Sequence, residues 1–179
     1  MKLLVVVDYQ NDFVSGSLGF PRAALLEEGI MKKIQTYLLD GHEVVFTLDT
    51  HASNYLDTAE GRLLPIPHCI KGTDGHKLYG NVARVAKFGS AVFEKGTFGC
   101  EALMEYILDG KYEEIELVGL VSNICVLSNA VIAKTAAPYA TITVDAACTA
   151  CADPVMNEKA LDVMQGLQIN VINRKRKSL

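Results

Sequence analysis

Residues 114–134 read EIELVGLVSNICVLSNAVIAK, a stretch that passes from strand to helix across a short polar turn. Glu114 to Gly119 predicts a strand, and Ser122 to about Lys134 a helix with Ser122 as its N-cap. The same alternation runs outward in both directions. Leu3 to Val7, with three consecutive valines, predicts a strand buried on both faces. Ala23 to Leu39 carries Leu26, Ile30, Ile34 and Leu38 at helical spacing and stops at Asp40-Gly41. Val44 to Leu48, Ser90 to Glu94, Ala140 to Val144 and Leu167 to Ile172 predict further strands. Glu101 to Leu108 predicts a helix, as does the segment from Asp153-Pro154 to Gly166, which opens with an Asp cap and a first-turn proline. Residues 50–90 are rich in Gly, Pro, His and Asp and show little periodicity. So long an irregular stretch inside a compact fold usually has a function.

Six strands alternating with helices imply one α/β domain over residues 1–179, a three-layer α/β/α, Rossmann-like arrangement around a mostly parallel sheet. No repeat, low-complexity segment or linker divides the chain. The site of such a fold lies beyond the carboxyl ends of its strands. That rule points to Asp8, Asp49, Lys95 and the turn after Gly119. No G-x-G-x-x-G or P-loop follows a strand, which excludes a nucleotide-binding dehydrogenase or ATPase.

Half of the 179 residues are apolar and 21% are charged, the profile of a soluble globular chain. No apolar run approaches the ~20 residues of a membrane span, and no secretory signal is legible, so a cytoplasmic protein is expected. Arg174, Lys175, Arg176 and Lys177 contribute +4 to a net charge of −4, leaving −8 on the remainder. An acidic body with a basic tail argues against nucleic acid as a partner, and the tail reads as a solvated end. The five cysteines, at 69, 100, 125, 148 and 151, form no disulfide framework and suit a reducing compartment.

With Ser122 as the cap, Cys125 falls at the third helical position, where unpaired backbone N–H groups and the positive end of the helix dipole are concentrated. A thiol there is expected to shift toward thiolate, the reactive form. Packing as a small hydrophobe is the other reading of such a cysteine. Asp8, in VDYQNDF, follows the first strand, and Lys95, in FEKGTFG, follows the third. An Asp and a Lys converging on a Cys make an acid/base-nucleophile triad without histidine, although spacing alone does not separate them from a helix cap and a surface lysine.

These three segments, Asp8 in VDYQNDF, Lys95 in FEKGTFG and Cys125 in GLVSNICV, resemble in order the signature positions of the isochorismatase-like cysteine hydrolases. The likeness spans essentially the whole chain and leans to the nicotinamidase/pyrazinamidase branch. It implies that Asp8 is the general base, Cys125 the nucleophile and Lys95 their assistant. The substrate it implies is a small amide, foremost nicotinamide, cleaved to nicotinate and ammonia in NAD salvage. It further implies a cis peptide at Leu120-Val121, an oxyanion hole from the N–H groups of Val121 and Cys125, a ring contact from Phe13, and a homo-oligomer. Relatives that cleave vinyl ethers lack the nucleophilic Cys, so its presence favours C–N cleavage. Ser122-Asn123 departs from the Thr-Asp that nicotinamidases more often carry.

Asp49 and His51 stand two apart at a strand end, and Glu60 and His68 follow in the irregular stretch. Two His and one or two carboxylates suit Zn²⁺, and also Fe²⁺ or Mn²⁺; solvated loop residues are the other reading. The resemblance to the nicotinamidase pattern, D-x-H, a later Glu, and a His before Cys69-Ile70-Lys71-Gly72-Thr73, favours the metal, Glu60 being the ligand not all relatives use. It also implies that the metal takes the ring nitrogen of the substrate. Cys148 and Cys151 have C-x-x-C spacing but no second pair, which argues against a redox or zinc motif; Cys69 and Cys100 are read as packing residues. Two other functions stay open: the same chemistry on an N-carbamoyl or ureido compound, and a non-catalytic metal- or pyridine-binding protein.

Overall fold

A computed structural model describes residues 1–174; Lys175, Arg176 and Lys177 of the basic tail lie outside the described residues. The strands are β1 (Lys2–Val7), β2 (Glu43–Asp49), β3 (Ala91–Lys95), β4 (Glu114–Leu120), β5 (Thr141–Ala150) and β6 (Asn170–Ile172). The helices are α1 (Asn11–Val14), α2 (Pro21–Ala24), α3 (Glu27–Leu39), α4 (Ala59–Leu63), α5 (Gly80–Val85), α6 (Glu101–Asp109), α7 (Leu127–Ala136) and α8 (Pro154–Gly166). The strands form one sheet in the order β3-β2-β1-β4-β5-β6, and every pairing is parallel.

The valine run of β1 is buried on both faces. Leu3, Val5 and Val7 join one apolar core with residues of α6, α7 and α8, whereas Leu4 and Val6 join the other with residues of α3 and α5. The chain steps outward from β1 to β2 and β3, then crosses to β4 and moves the other way. This reversal opens a crevice between the carboxyl ends of β1 and β4, the place where such folds take ligands.

Several predicted boundaries shift for visible reasons. The single helix expected over Ala23–Leu39 is broken after Ala24, where Leu25 and Leu26 bond back three residues to Arg22 and Ala23 before α3 begins. It ends as expected: Gly41 adopts φ +72° and the chain closes with His42 N–H donating to the Tyr37 carbonyl. β5 runs six residues beyond Val144, because four residues bulge out where Leu117 pairs with Val144 and Gly119 with Thr149. Asp145 in that bulge accepts Ala147 N–H and pairs with Lys33 at 2.7 Å. Asp153 caps α8 through the N–H groups of Val155 and Met156. Arg174, expected to be solvated, instead docks on α8 against Glu158 and Asp162. No helix among the described residues is long and apolar enough to cross a membrane.

Gly119 sits at the β1–β4 seam with φ +108°, and a Cβ there would lie 2.0 Å from the Val7 carbonyl oxygen. Gly119→Ala is expected to lower the unfolding free energy by roughly 2–4 kcal/mol, read by urea denaturation. A loss under about 1 kcal/mol would contradict this account of the seam.

Candidate active site

Each strand end in the crevice delivers one reactive group. Asp8 follows β1 directly and turns the chain with φ +44°, which aims its fully buried carboxylate back over the sheet. Thr47 on β2 donates to Asp8 Oδ1 at 2.6 Å. Lys95 ends β3, and its Nζ lies 2.7 Å from Asp8 Oδ2, 3.4 Å from Asp49 Oδ1 and 3.6 Å from Cys125 Sγ, while donating to the Thr97 carbonyl at 2.9 Å. The Asp8–Lys95 contact is a close, buried ion pair at Oδ2. The three residues singled out from separate motifs thus meet at one point.

Burial sets the protonation of this trio. Enclosure pushes the Asp8 carboxyl above its ordinary range, with Lys95 opposing and the Asp49 charge reinforcing. Burial also works against the Lys95 charge, but Asp8, Cys125 and Asp49 outweigh it and hold the ammonium protonated. The Cys125 thiol is driven well above its usual range, first by burial and then by the Asp8 charge, against the pull of Lys95. The expectation of a thiol shifted toward thiolate is therefore corrected: it rests as S–H beside a carboxylate able to take the proton.

The turn that carries the thiol also differs from expectation. Ser122 is no cap; its hydroxyl donates to Asn157 Oδ1 on α8 at 2.7 Å. Ser122–Val126 winds as one π-helical turn before α7, entered from Val121. The Val121 carbonyl takes the N–H groups of Ile124 and Val126 and bypasses that of Cys125. The Leu120–Val121 peptide is cis.

Beside the trio lies a second cluster. One ligand atom each from Asp49, His51, Glu60 and His68 falls within 4.8 Å of the other three. His51 Nε2 is 3.0 Å from Asp49 Oδ2 and 3.7 Å from Glu60 Oε1; His68 Nε2 is 3.4 Å and 3.6 Å from the same atoms. His68 Nδ1 donates to the Ile66 carbonyl at 2.8 Å, so Nε2 is the ring nitrogen that faces the cluster. Two imidazoles and two carboxylates converging while largely buried fit a divalent cation. Burial opposes charge on Asp49, yet hydrogen bonds from His51 and His68 and the Lys95 charge hold its carboxyl well below the usual range. Asp49 is shared: Oδ1 faces Lys95 and Oδ2 faces the histidines.

A cavity of about 290 Å³ joins the two clusters, lined by Cys125, Val121, Asp49, His68 and Phe13 among others. Phe13 packs on the His68 ring, centroids 5.5 Å apart.

A family model described as the Isochorismatase domain matches residues 2–175. The chain belongs to that family. The crystal structure of the nicotinamidase/pyrazinamidase PncA from Bacillus subtilis superposes on this isochorismatase-family chain with a TM-score of 0.84 at 31% identity, covering 95% of this chain and 98% of that one. The nicotinamidase/pyrazinamidase of Mycobacterium tuberculosis is 30% identical over 146 residues, 73% of this chain and 77% of the relative. The pyrazinamidase of Pyrococcus horikoshii, solved in complex with zinc, shares the fold at a TM-score of 0.83 and 21% identity over 97% of this chain and 99% of that one.

Within this family member, several buried polar residues escaped the sequence reading. Gln10 clamps Asp49 by accepting its N–H at 2.8 Å and donating to its carbonyl at 2.9 Å, and also donates to the His76 carbonyl. Asn129, one turn beyond Cys125, donates to the carbonyls of Cys125 and Phe98 and accepts Cys100 N–H. Tyr55 packs edge-on against both His51 and His68. Thr47 and Asn129 did leave a signal, each being a polar residue inside an apolar run. Gln10 and Tyr55 left none. His76 Nε2 lies 2.8 Å from Thr50 Oγ1, next to the cluster. All five cysteines are free and buried; Cys151 lines the cavity wall.

A raised thiol pKa means that the thiolate fraction is still growing above the range of an ordinary cysteine. Alkylation of Cys125 by iodoacetamide, followed by mass spectrometry, is expected to accelerate all the way from about pH 7 to about pH 10. A plateau near neutrality would show a thiolate already formed.

Proposed function

We propose that the chain is a metal-dependent amidase that hydrolyses nicotinamide to nicotinate and ammonia, with Cys125 as nucleophile. The observation that carries the reading is a cavity lined by both Cys125 and the donors Asp49 and His68, with Lys95 and Asp8 packed by the thiol and His51 and Glu60 completing the donor cluster. The names of the Bacillus subtilis and Mycobacterium tuberculosis relatives support the same substrate.

In the first half-reaction, Asp8, whose burial favours proton uptake by its carboxylate, takes the thiol proton as Cys125 Sγ attacks the amide carbon. The new C–S bond pushes the carbonyl electrons onto oxygen, and the backbone N–H groups of Val121 and Cys125 receive that charge. Collapse of this intermediate breaks the C–N bond, and Asp8 returns its proton to the departing nitrogen, so ammonia leaves and a thioester remains. In the second half, Asp8 draws a proton from water, which attacks the thioester; breaking the C–S bond restores the thiol and frees the acid. Lys95 stays protonated throughout and steadies first the carboxylate, then the sulfur as it gains charge.

Asp49, His51 and His68, with Glu60 beside them, would hold a divalent ion, which when bound would offer a Lewis-acid site to a ring nitrogen and so help orient the ring. Zinc suits this donor set, and the Pyrococcus horikoshii relative was solved with it. Phe13 packs against the ring face. The reaction belongs to NAD salvage, and five free thiols suit a reducing cytoplasm. Assembly with further copies would cover exposed apolar side chains such as Phe88, Leu108 and Tyr139.

The deciding measurement is ammonia release from nicotinamide beside a panel of N-carbamoyl and ureido compounds. Turnover is expected with nicotinamide; silence there with metal bound, and release from a carbamoyl compound, would reassign the substrate. Cys125→Ala is expected to lower kcat/KM by at least about 1,000-fold while circular dichroism stays unchanged. Chelation is expected to abolish turnover and added Zn²⁺ to restore it; full activity after verified metal removal would refute the metal's part.

A further inference from the structure

We infer that Asp12 is a positioning residue of the metal centre, fixing the peptide that follows His68 so that the imidazoles of His68 and His51 face one ion; this rests on the metal-dependent reading above. Asp12 is not among the four clustered donors. Its Oδ2 instead accepts Cys69 N–H at 2.7 Å, a charge-assisted bond to the one peptide lying between the two histidine supports.

Cys69 is where the chain needs that hold. It is fully buried and adopts φ +47°, a conformation unusual for a residue with a side chain. The twist sends its two peptide groups in opposite directions. Its carbonyl accepts His51 N–H at 3.0 Å, and the next link, Lys71 N–H to the His51 carbonyl at 2.8 Å, continues a short parallel bridge. Its own N–H points away from that bridge, to Asp12. Asp12 therefore anchors the loop that presents His68 at the same residue through which that loop holds His51.

The carboxylate has no room to wander. A Cβ added to Gly75 would fall 2.0 Å from Asp12 Oδ2, and one added to Gly16 would fall 2.3 Å from Oδ1. Both neighbours must be glycine for the carboxylate to sit where it does. The backbone repeats the attachment, with Asp12 N–H donating to the Gly75 carbonyl and Asn11 N–H to that of Lys77. α1 thus steers His68 through two consecutive residues: Phe13 against its ring and Asp12 behind its peptide.

The test is zinc affinity, measured on folded, metal-stripped protein by competition with a chromogenic chelator, together with the melting temperature of the metal-free form. Asp12→Ala is expected to weaken Zn²⁺ binding by about 10- to 100-fold, with the metal-free melting temperature little changed. Asp12→Asn retains an acceptor oxygen for Cys69 N–H and is expected to recover most of that affinity; it also carries the comparison should the alanine variant fail to fold. Affinity within about twofold of wild type in both variants, whatever happens to melting, would make Asp12 an ordinary loop anchor and overturn the inference. A wild-type chain that takes up no zinc, iron or manganese would overturn the metal-dependent reading and this inference with it. Normal uptake by wild type with unchanged variants overturns this inference alone.

Discussion

Three charges buried at the ends of three adjacent strands hold the site together. Parallel register sets Asp49 of β2 level with Lys95 of β3 and places Thr47 beside Val7, one residue before Asp8. In a low-dielectric interior each charge is tolerated because the others are there. A slip of one residue in either pairing would turn these side chains to the opposite face of the sheet and strand an ammonium or a carboxylate in the apolar layers. Two carboxylates against one ammonium leave a surplus of negative charge. The structure directs that surplus through Asp49 toward two histidines and Glu60, where a cation can answer it.

The fold was legible because its strands announce themselves. The valines of β1 can be buried on both faces only in a covered parallel sheet, and alternation with helices supplies the layers. Local irregularities were less readable because tertiary contacts decide them. Ser122 looks like a cap in sequence, yet Asn157, 35 residues away, takes its hydroxyl. The bulge in β5 depends on Lys33 and Asp145, brought together from distant segments. Candidate site residues were found where chemistry-bearing types sat at strand ends or in recognisable motifs. Gln10 stayed hidden because an amide that clamps backbone leaves no pattern; only the fold shows it holding both peptide groups of Asp49.

Cys125 shows how placement and environment can oppose each other. Position near a helix start argues for an ionised sulfur, whereas enclosure and a neighbouring carboxylate argue for a protonated one, and here enclosure prevails. A thiol held neutral is shielded from adventitious electrophiles, and in the proposed reaction Asp8 would take its proton while Lys95 stabilised the sulfur.

The cavity has its own consequence for life in a crowded cell. At about 290 Å³, and walled by Phe13, Leu18, Phe20 and Phe98, it accommodates a flat ring with its substituent. The asparagine and glutamine amides of neighbouring proteins are chemically similar to a free carboxamide and vastly more numerous. Attached to a folded backbone, they would have to bring it past these apolar walls to reach Cys125.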